Sequence, residues 1–181
     1  DLKRGAQVFF VHNRVENIEV IASSIRQLVP QARVAVGHGQ MSPRLLEEIM
    51  LKFLKHEIDI LVSTTIIESG IDVPAANTLI VNRADKFGLA DLHQLRGRVG
   101  RGQHASQCLL IAETAGETAK KRIGIMTQTT DGFRISEEDL SLRGPGEVLG
   151  AMQHGVPLFQ MGDLVRDAAI IQASREAAQR R

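Results

Sequence analysis

The sequence predicts an α/β fold: a parallel β-sheet with helices on both faces, followed by a small α-helical hairpin. Three observations support this prediction. Five short runs rich in Val, Ile and Leu recur within residues 7–111, and nearly continuous apolar runs are typical of strands buried on both faces. Amphipathic helical patterns separate the first of these runs, as parallel connections require. After about residue 113 the strand pattern ends, and polar helical segments follow.

The strands are predicted at the apolar runs, which are Gln7 to Val11, Ala32 to Val36, Ile58 to Val62, Thr78 to Val81 and Ser106 to Ile111. A first helix is predicted from Asn13 to Leu28, where apolar residues recur at helical spacing and Pro30 ends the pattern. A second helix is predicted to begin with Ser42 as its cap and Pro43 in its first turn. Right-handed crossovers bring the loops that follow the strands to one edge of the sheet, where ligands bind in open α/β folds.

Composition and charge limit the possible partners. With 22 basic and 21 acidic residues the net charge is +1, so any nucleic-acid contact must come from locally placed residues. The single cysteine, Cys108, excludes an internal disulfide. The chain has neither an apolar run of about 18 residues nor a signal-peptide pattern, which predicts a cytoplasmic protein. It begins with Asp1 rather than Met, so we expect a piece of a larger protein.

The part of the chain after residue 113 predicts a separate helical element. Helical patterns run from Thr114 to Met126 and from Ser136 to Leu142, and a Gly-Pro-Gly turn at 144–146 interrupts any continuation. The predicted organisation is a sheet domain at 1–113, a helical hairpin at 114–160 and a C-terminal helix at 161–181. A hairpin that merely packs on the edge of the sheet is an alternative.

The glycine- and arginine-rich stretch from His93 to Gly102 carries the strongest functional signal. Arg96, Arg98 and Arg101 lie within six residues of one another, with glycines between them. Guanidinium groups are planar and permanently charged and bind two phosphate oxygens at once, and glycine lets a ligand approach the backbone closely. The stretch therefore favours binding of negative charge that develops in a reaction. A solvated basic loop is the alternative.

Two loops that follow predicted strands carry polar residues. The hydroxyl of Thr64, directly after a buried strand, can donate to a phosphate. Gly70 permits a turn, and Asp72 can accept from a ribose hydroxyl or pair with an arginine. After the second strand, Gly37 and Gly39 flank a histidine. An ordinary turn-rich connection, in which the hydroxyls bond the local backbone, explains the first loop equally well.

The pattern Gln94-x-x-Gly97-Arg98-x-x-Arg101 resembles the last motif of superfamily 2 helicases. That motif lies on the second of their two RecA-like motor domains. The resemblance implies a RecA-like fold here and implies that Arg98 and Arg101 reach the γ-phosphate of ATP held by the first domain. Arginine fingers of this kind are worth about three to five orders of magnitude in rate. The resemblance also implies nucleotide contacts by Gln94, Gly70 and Asp72, a DNA-backbone contact by Thr64, and a DNA-facing strand backbone at Gly37 and Gly39.

The lead-in to the arginines, Asp85-x-Phe87-Gly88-Leu89, is similar to one branch of the superfamily. This branch contains the RecG fork-remodelling helicase and the transcription-repair coupling factor, Mfd. The segment from Asp139 to Gln153 looks like the hairpin and loop with which the branch converts domain closure into movement along duplex DNA. That likeness implies a relay through Arg143 and Gln153. The N-terminal part looks more like the coupling factor and the C-terminal part more like RecG, as expected for a divergent member or a fusion.

The sequence contains no Gly-x-x-x-x-Gly-Lys-Ser/Thr phosphate loop and no acidic pair placed to hold Mg²⁺. We therefore expect no metal site in the chain and no ATP hydrolysis by the chain alone, with ATP and Mg²⁺ held mainly by an N-terminal RecA-like domain. The other implied partners are double-stranded or branched DNA, in repair or fork processing, and RNA polymerase if the chain works like the coupling factor. The alternatives are a binding module without motor activity and the second domain of an RNA helicase.

Overall fold

The computed structural model describes residues 6–64, 76–100, 105–113 and 116–143, without the side chain of Arg143. Four of the predicted site residues lie outside the described residues, namely Gly70, Asp72, Arg101 and Gln153. The chain divides into two compact units, Asp1–Ile123 and Gly124–Arg181. The first unit contains the whole sheet.

Five strands form one parallel sheet in the order β2-β3-β1-β4-β5. Their bounds are β1 Gln7–His12, β2 Val34–Gly37, β3 Ile60–Ser63, β4 Ala76–Asn82 and β5 Gln107–Ile111. The central strand β1 pairs Phe9 with Leu61 of β3 on one side and with Leu79 of β4 on the other. All three side chains are buried. The predicted parallel sheet and all five predicted strands are confirmed.

Helices cover both faces of the sheet. Leu61 and Val62 are consecutive in β3 and therefore point to opposite faces. Val62 belongs to a buried cluster with Ile18 of the first helix. Leu61 lies on the other face, beside Leu46 of the second helix, since a side chain added at Gly37 would touch both leucines. The expected cover on both faces is confirmed.

The first helix, α1, spans Ile18–Leu28 and begins later than the expected start at Asn13. The chain first makes a turn, in which the Ile18 amide donates to the Val15 carbonyl at 3.2 Å. The Asn17 side chain makes no capping bond with the helix, because its Oδ1 lies 2.8 Å from Nε2 of His12. A contact with the neighbouring strand thus sets the start of α1.

The second helix, α2, spans Pro43–Leu54 and agrees with its sequence signals. Ser42 Oγ accepts from the Leu45 amide at 3.4 Å, and Pro43 occupies the first turn. At the amino edge of the sheet, the buried Gln7 side chain donates through Nε2 to the carbonyl oxygens of Phe53 at 2.6 Å and Ile58 at 2.7 Å. This amide fixes the end of α2 to the start of β1.

A helix that the sequence patterns did not predict, α3 at Leu89–Arg96, precedes β5, and two more helices, α4 at Glu117–Gln128 and α5 at Gly132–Arg143, follow it. The predicted start of the second of these helices at Ser136 is wrong, because α5 begins at Gly132. Asp131 Oδ1 accepts from the Phe133 amide at 2.9 Å and so starts the helix earlier. Ser136 lies inside the helix and donates to the Gly132 carbonyl at 2.9 Å.

Candidate functional site

Two of the predicted DNA-binding residues meet at the carboxyl edge of the sheet, where β2 and β3 end side by side. Gly37 pairs with Ser63 in the parallel register, and the Thr64 amide donates to the Gly37 carbonyl at 3.4 Å. Gly39 is exposed two residues further on. A Cβ at Gly37 would point at Leu46 Cδ1, 3.2 Å away. A side chain at position 37 would therefore require Leu46 of α2 to move by a few tenths of an ångström.

Three buried polar atoms at this edge have no hydrogen-bond partner within the described residues. They are Oδ1 of Asn13, Nδ1 of His38 and Oγ1 of Thr64. Each belongs to the first residue after one of three strands that are adjacent in the sheet, β1, β2 and β3. Burying such an atom without a partner costs about 1–3 kcal/mol. The three atoms lie across neighbouring strand ends, at the edge of the sheet where ligands bind in open α/β folds.

A histidine that sequence reasoning missed lies at the same edge. His12, the last residue of β1, is buried, with Nε2 2.8 Å from Asn17 Oδ1 and Nδ1 3.1 Å from Asn82 Nδ2. Because a carbonyl oxygen only accepts and an amide nitrogen only donates, the two bonds together fit a neutral imidazole with its proton on Nε2. The network joins β1, α1 and β4. The sequence signal for this network is a polar residue at the end of each of two apolar strands: His12 ends β1 and Asn82 ends β4.

The helix α3 carries Gln94 and leads directly into Arg98. At its start, the Gly88 amide donates to Asp91 Oδ2 at 3.1 Å. Its inner face buries three leucines, at positions 89, 92 and 95. Gln94 is exposed, and Arg98 is half-buried in the turn that follows, where its amide donates to the Leu95 carbonyl at 3.0 Å. The packed helix thus fixes the main chain at both predicted nucleotide-site residues, Gln94 and Arg98. The position of Arg98 relative to Arg101 stays a prediction.

Gly100 closes this stretch with a backbone that favours glycine. Its φ of 83° lies in the left-handed region, which other residues enter at a cost of about 1–3 kcal/mol. An added Cβ would also overlap Oγ of Ser106, which directly precedes β5. The chain after Arg98 therefore passes close to the start of the next strand, and only glycine fits there without rearrangement.

The carboxylates, imidazoles and thiol of the described residues are dispersed along the fold. In this part of the chain, no group of three His, Cys, Asp or Glu side chains is placed to hold a metal ion. Burial raises the pKa of the Cys108 thiol, and the nearby Arg96 opposes this only in part, so the thiol is a poor nucleophile. Within the same ranges no helix is long and apolar enough to cross a membrane.

Comparison with known proteins defines the class. The family model of the helicase conserved C-terminal domain matches residues 1–103. A second model, the C-terminal part of domain 3 of the ATP-dependent DNA helicase RecG, matches residues 129–181. The chain belongs to the family of helicase conserved C-terminal domains.

Within that family the chain is related to RecG. It is 43% identical to the ATP-dependent DNA helicase RecG of Staphylococcus epidermidis over 98% of its own length, which is 27% of that protein. It therefore spans about a quarter of the length of this relative. The structure of RecG bound to a three-way DNA junction is 42% identical and matches with a TM-score of 0.73, covering 94% of this chain and 23% of that one.

A more distant structure shares the fold alone. S. cerevisiae Dbp5 bound to RNA and ADP BeF3 is 13% identical and matches with a TM-score of 0.55, covering 76% of this chain and 38% of that one. The expected RecA-like fold and the resemblance to the RecG branch of helicases are confirmed. The closer likeness of the N-terminal part to the coupling factor stays a prediction.

Proposed function

We propose that this chain is the second motor domain of a longer, ATP-dependent DNA helicase or translocase that acts on double-stranded or branched DNA in repair or replication-fork processing. Its relation to RecG over nearly its whole length supports this proposal, as does its membership of the helicase family. Hereafter, the full-length protein means this chain together with the N-terminal RecA-like motor domain that the proposal requires. ATP and Mg²⁺ are held mainly by that domain.

The DNA part of the proposal rests on one observation, the row of unpartnered polar atoms at the ends of β1, β2 and β3. The Thr64 hydroxyl and a protonated imidazole nitrogen of His38 can donate to phosphate oxygens, whereas Oδ1 of Asn13 only accepts and does not bond a phosphate. Phosphate contacts position a nucleic acid without reading its sequence. In this proposal Thr64 contacts the DNA backbone. The bound DNA strand passes over the main chain of Gly37 and Gly39.

For the nucleotide, we propose that Gln94, Gly70 and Asp72 contact ATP and that Arg98 and Arg101 act as arginine fingers. The exposed amide of Gln94 and the fixed base of α3 under Arg98 fit this role. A bound Mg-ATP supplies the γ-phosphate on which charge builds during hydrolysis. The guanidinium groups stabilise the negative charge on the phosphate oxygens. This stabilisation is largest if the groups are held rigidly in position.

For movement along DNA, we propose the organisation predicted from the sequence: a motor domain at 1–113, a translocation hairpin at 114–160 and a C-terminal helix at 161–181. Arg143 and Gln153 then belong to the relay between the arginine fingers and the duplex. One observation supports a hairpin in the second segment: the helices α4 and α5 are separated by a short turn.

The test is ATP hydrolysis and DNA translocation by the full-length protein. We expect DNA-stimulated hydrolysis that falls by about three orders of magnitude in Arg98→Ala and in Arg101→Ala. Arg143→Ala should lose translocation and keep hydrolysis. Arg26→Ala, in the last turn of α1, serves as the control and should keep both activities. The isolated chain should not hydrolyse ATP.

The outcomes separate the proposal from its alternatives. Hydrolysis by the isolated chain that depends on Arg101 contradicts the shared nucleotide pocket. Stimulation by RNA and not by DNA indicates an RNA helicase. DNA binding by a full-length protein that never hydrolyses ATP indicates a binding module without motor activity.

A further inference from the structure

A strained turn connects β4 to the arginine-bearing helix α3. Arg83 directly follows β4 and adopts φ 56° and ψ 48°, in the left-handed region. A single 3-10 turn at Ala84–Lys86 comes next, closed by the Phe87 amide, which donates to the Ala84 carbonyl at 3.2 Å. A non-glycine residue in this conformation costs about 1–3 kcal/mol, and such strain persists only where the surroundings hold it.

Two arginines tie this turn to its surroundings. Arg122 of α4 donates from Nη2 to the main-chain carbonyl oxygen of Asp85 at 3.3 Å. Arg83 pairs with Glu113, just after β5, with 3.5 Å between Nη2 and Oε2. The turn itself is well packed, because Asp85 and Phe87 are both buried. Contacts from α4 and from the end of β5 therefore converge on the short connection into α3.

The unpartnered atoms of this turn complement one another. Seven buried polar side-chain atoms within the described ranges have no hydrogen-bond partner, and three of them lie here: Nε of Arg83, Nε of Arg122 and Oδ1 of Asp85. Two are cationic donors and one is an anionic acceptor. The other oxygen of Asp85, Oδ2, pairs with Lys86 Nζ at 3.3 Å. Oδ1 is therefore the acceptor that remains for a donor from Arg83 or Arg122.

We infer that Arg122 and Asp85 are positioning residues for the arginine-finger helix α3. This inference rests on the proposed function. Arg122 already bonds the Asp85 carbonyl through Nη2, and its Nε is on the same planar group. A bond from Nε to Asp85 Oδ1 would attach the guanidinium to one residue at two points. From Asp85 the chain passes through a single turn into α3. Three buried leucines pack this helix against the core, so a shift of the turn should also shift the helix and Arg98 at its end.

The test is steady-state DNA-stimulated ATP hydrolysis by the full-length protein. We expect Arg122→Ala to lower kcat by about tenfold or more, because small displacements of reacting groups cost up to about 100-fold. The KM for ATP and the DNA concentration that gives half-maximal rate should stay unchanged. Arg122→Lys, which keeps the charge and a donor for the Asp85 carbonyl, should recover part of the rate. Asp85→Asn should add no further loss to Arg122→Ala, since the two residues act as one unit.

The control removes a bond of the same kind elsewhere. Arg26 of α1 also donates from Nη2 to a main-chain carbonyl, that of Val34 at 3.4 Å. Like Arg83, it pairs with an exposed carboxylate, that of Glu19 at 3.7 Å. We expect Arg26→Ala to keep kcat and to lower the thermal midpoint less than Arg122→Ala does, because the Arg26 bond is exposed and the Arg122 bond is part-buried. A merely structural role for Arg122 predicts no such difference in kcat.

Each outcome decides the inference. Equal kcat values for Arg122→Ala and Arg26→Ala, in a protein whose Arg98→Ala variant is inactive, overturn the inference and leave the proposed function intact. A wild-type protein without DNA-stimulated hydrolysis overturns both. If Arg122→Ala does not fold, Arg122→Lys and Arg26→Lys carry the same comparison, with a lower kcat expected for the first alone.

Discussion

The main-chain amide of Thr64 donates to the carbonyl oxygen of Gly37 across the ends of β3 and β2, at 3.4 Å. This bond holds the backbone of Thr64 in place at the sheet edge, while its buried hydroxyl has no partner in the described part of the chain. A fixed backbone beneath an unused hydroxyl is a costly arrangement for stability alone. It is understandable if the hydroxyl serves a ligand.

Thr64→Val should therefore separate stability from binding. The valine keeps the shape and removes the unpartnered hydroxyl, so the free energy of unfolding should stay equal or rise by about 1 kcal/mol. Affinity of the full-length protein for DNA should fall by about three- to tenfold with the lost hydrogen bond. Urea unfolding of the chain and fluorescence anisotropy with labelled DNA measure the two effects.

The matched control is Thr78, a buried threonine of β4 whose Oγ1 accepts from Gln107 Nε2 at 3.3 Å. Thr78→Val should lower the free energy of unfolding by about 1 kcal/mol and leave DNA binding unchanged. If Thr64→Val is destabilising and binds DNA normally, the hydroxyl is structural and the proposed DNA contact is wrong.

Gly100 and Gly124 should respond in opposite directions to alanine. Gly100→Ala forces a side chain into the left-handed region and onto Ser106, so it should destabilise the chain by about 1–3 kcal/mol and lower ATP hydrolysis by displacing the neighbouring arginines. Gly124 lies inside α4 with open space around an added Cβ. Gly124→Ala should stabilise by about 1 kcal/mol, because alanine favours helix. Thermal unfolding of both variants is the measurement, and equal shifts would contradict the strain at Gly100.

The sheet could be predicted because the sequence signal of each strand lies within a few neighbouring residues. Each strand is a short apolar run, and the parallel arrangement follows from the helical patterns between the first three runs. The meeting of Thr64 and Gly37 follows in turn, since parallel strands end at one edge. The strand ends and the arginine spacing also select Thr64, Gln94 and Arg98 as candidate site residues, and their roles stay predictions.

The remaining features depend on contacts between distant residues. The start of α1 shifts because the Asn17 amide bonds His12 of β1 rather than its own helix. The helix α3 is too short for its leucines to establish a helical period. The contact between Arg122 and Asp85 joins residues 37 positions apart, and no local pattern indicates it.

The pair of Arg33 and Asp59 predicts a pH dependence of stability. The guanidinium of Arg33 donates to both carboxylate oxygens, at 2.7 Å and 3.0 Å, and its main-chain amide donates as well. The side-chain bonds of Arg33 are the largest cause that lowers the pKa of Asp59 below its ordinary value. A carboxylate with a lowered folded pKa stabilises the fold above the unfolded pKa of about 3.9, and this contribution disappears as pH falls through the lower folded pKa.

Asp59→Asn should therefore lower the thermal midpoint of the chain at pH 7, and the difference from wild type should shrink below about pH 4. The effect should be small because the Arg33 side chain is largely exposed. Glu48→Gln is the control: Lys52 also lowers the pKa of Glu48, but both side chains are about half exposed or more, so we expect a still smaller change. A difference that stays constant from pH 7 to pH 3 would show that charge is not the cause.

Asn17 stands where a helix cap is expected, but its side chain bonds His12 instead. Asn17→Ala removes the acceptor of the buried His12 Nε2–H, so it should cost about 1–3 kcal/mol of unfolding free energy. In a His12→Leu background the same change should cost almost nothing, because no donor is left unpaired. Urea unfolding of the four chains gives the coupling energy. If Asn17→Ala costs the same in both backgrounds, Asn17 acts as an ordinary cap of α1 and the histidine network does not hold the carboxyl edge together.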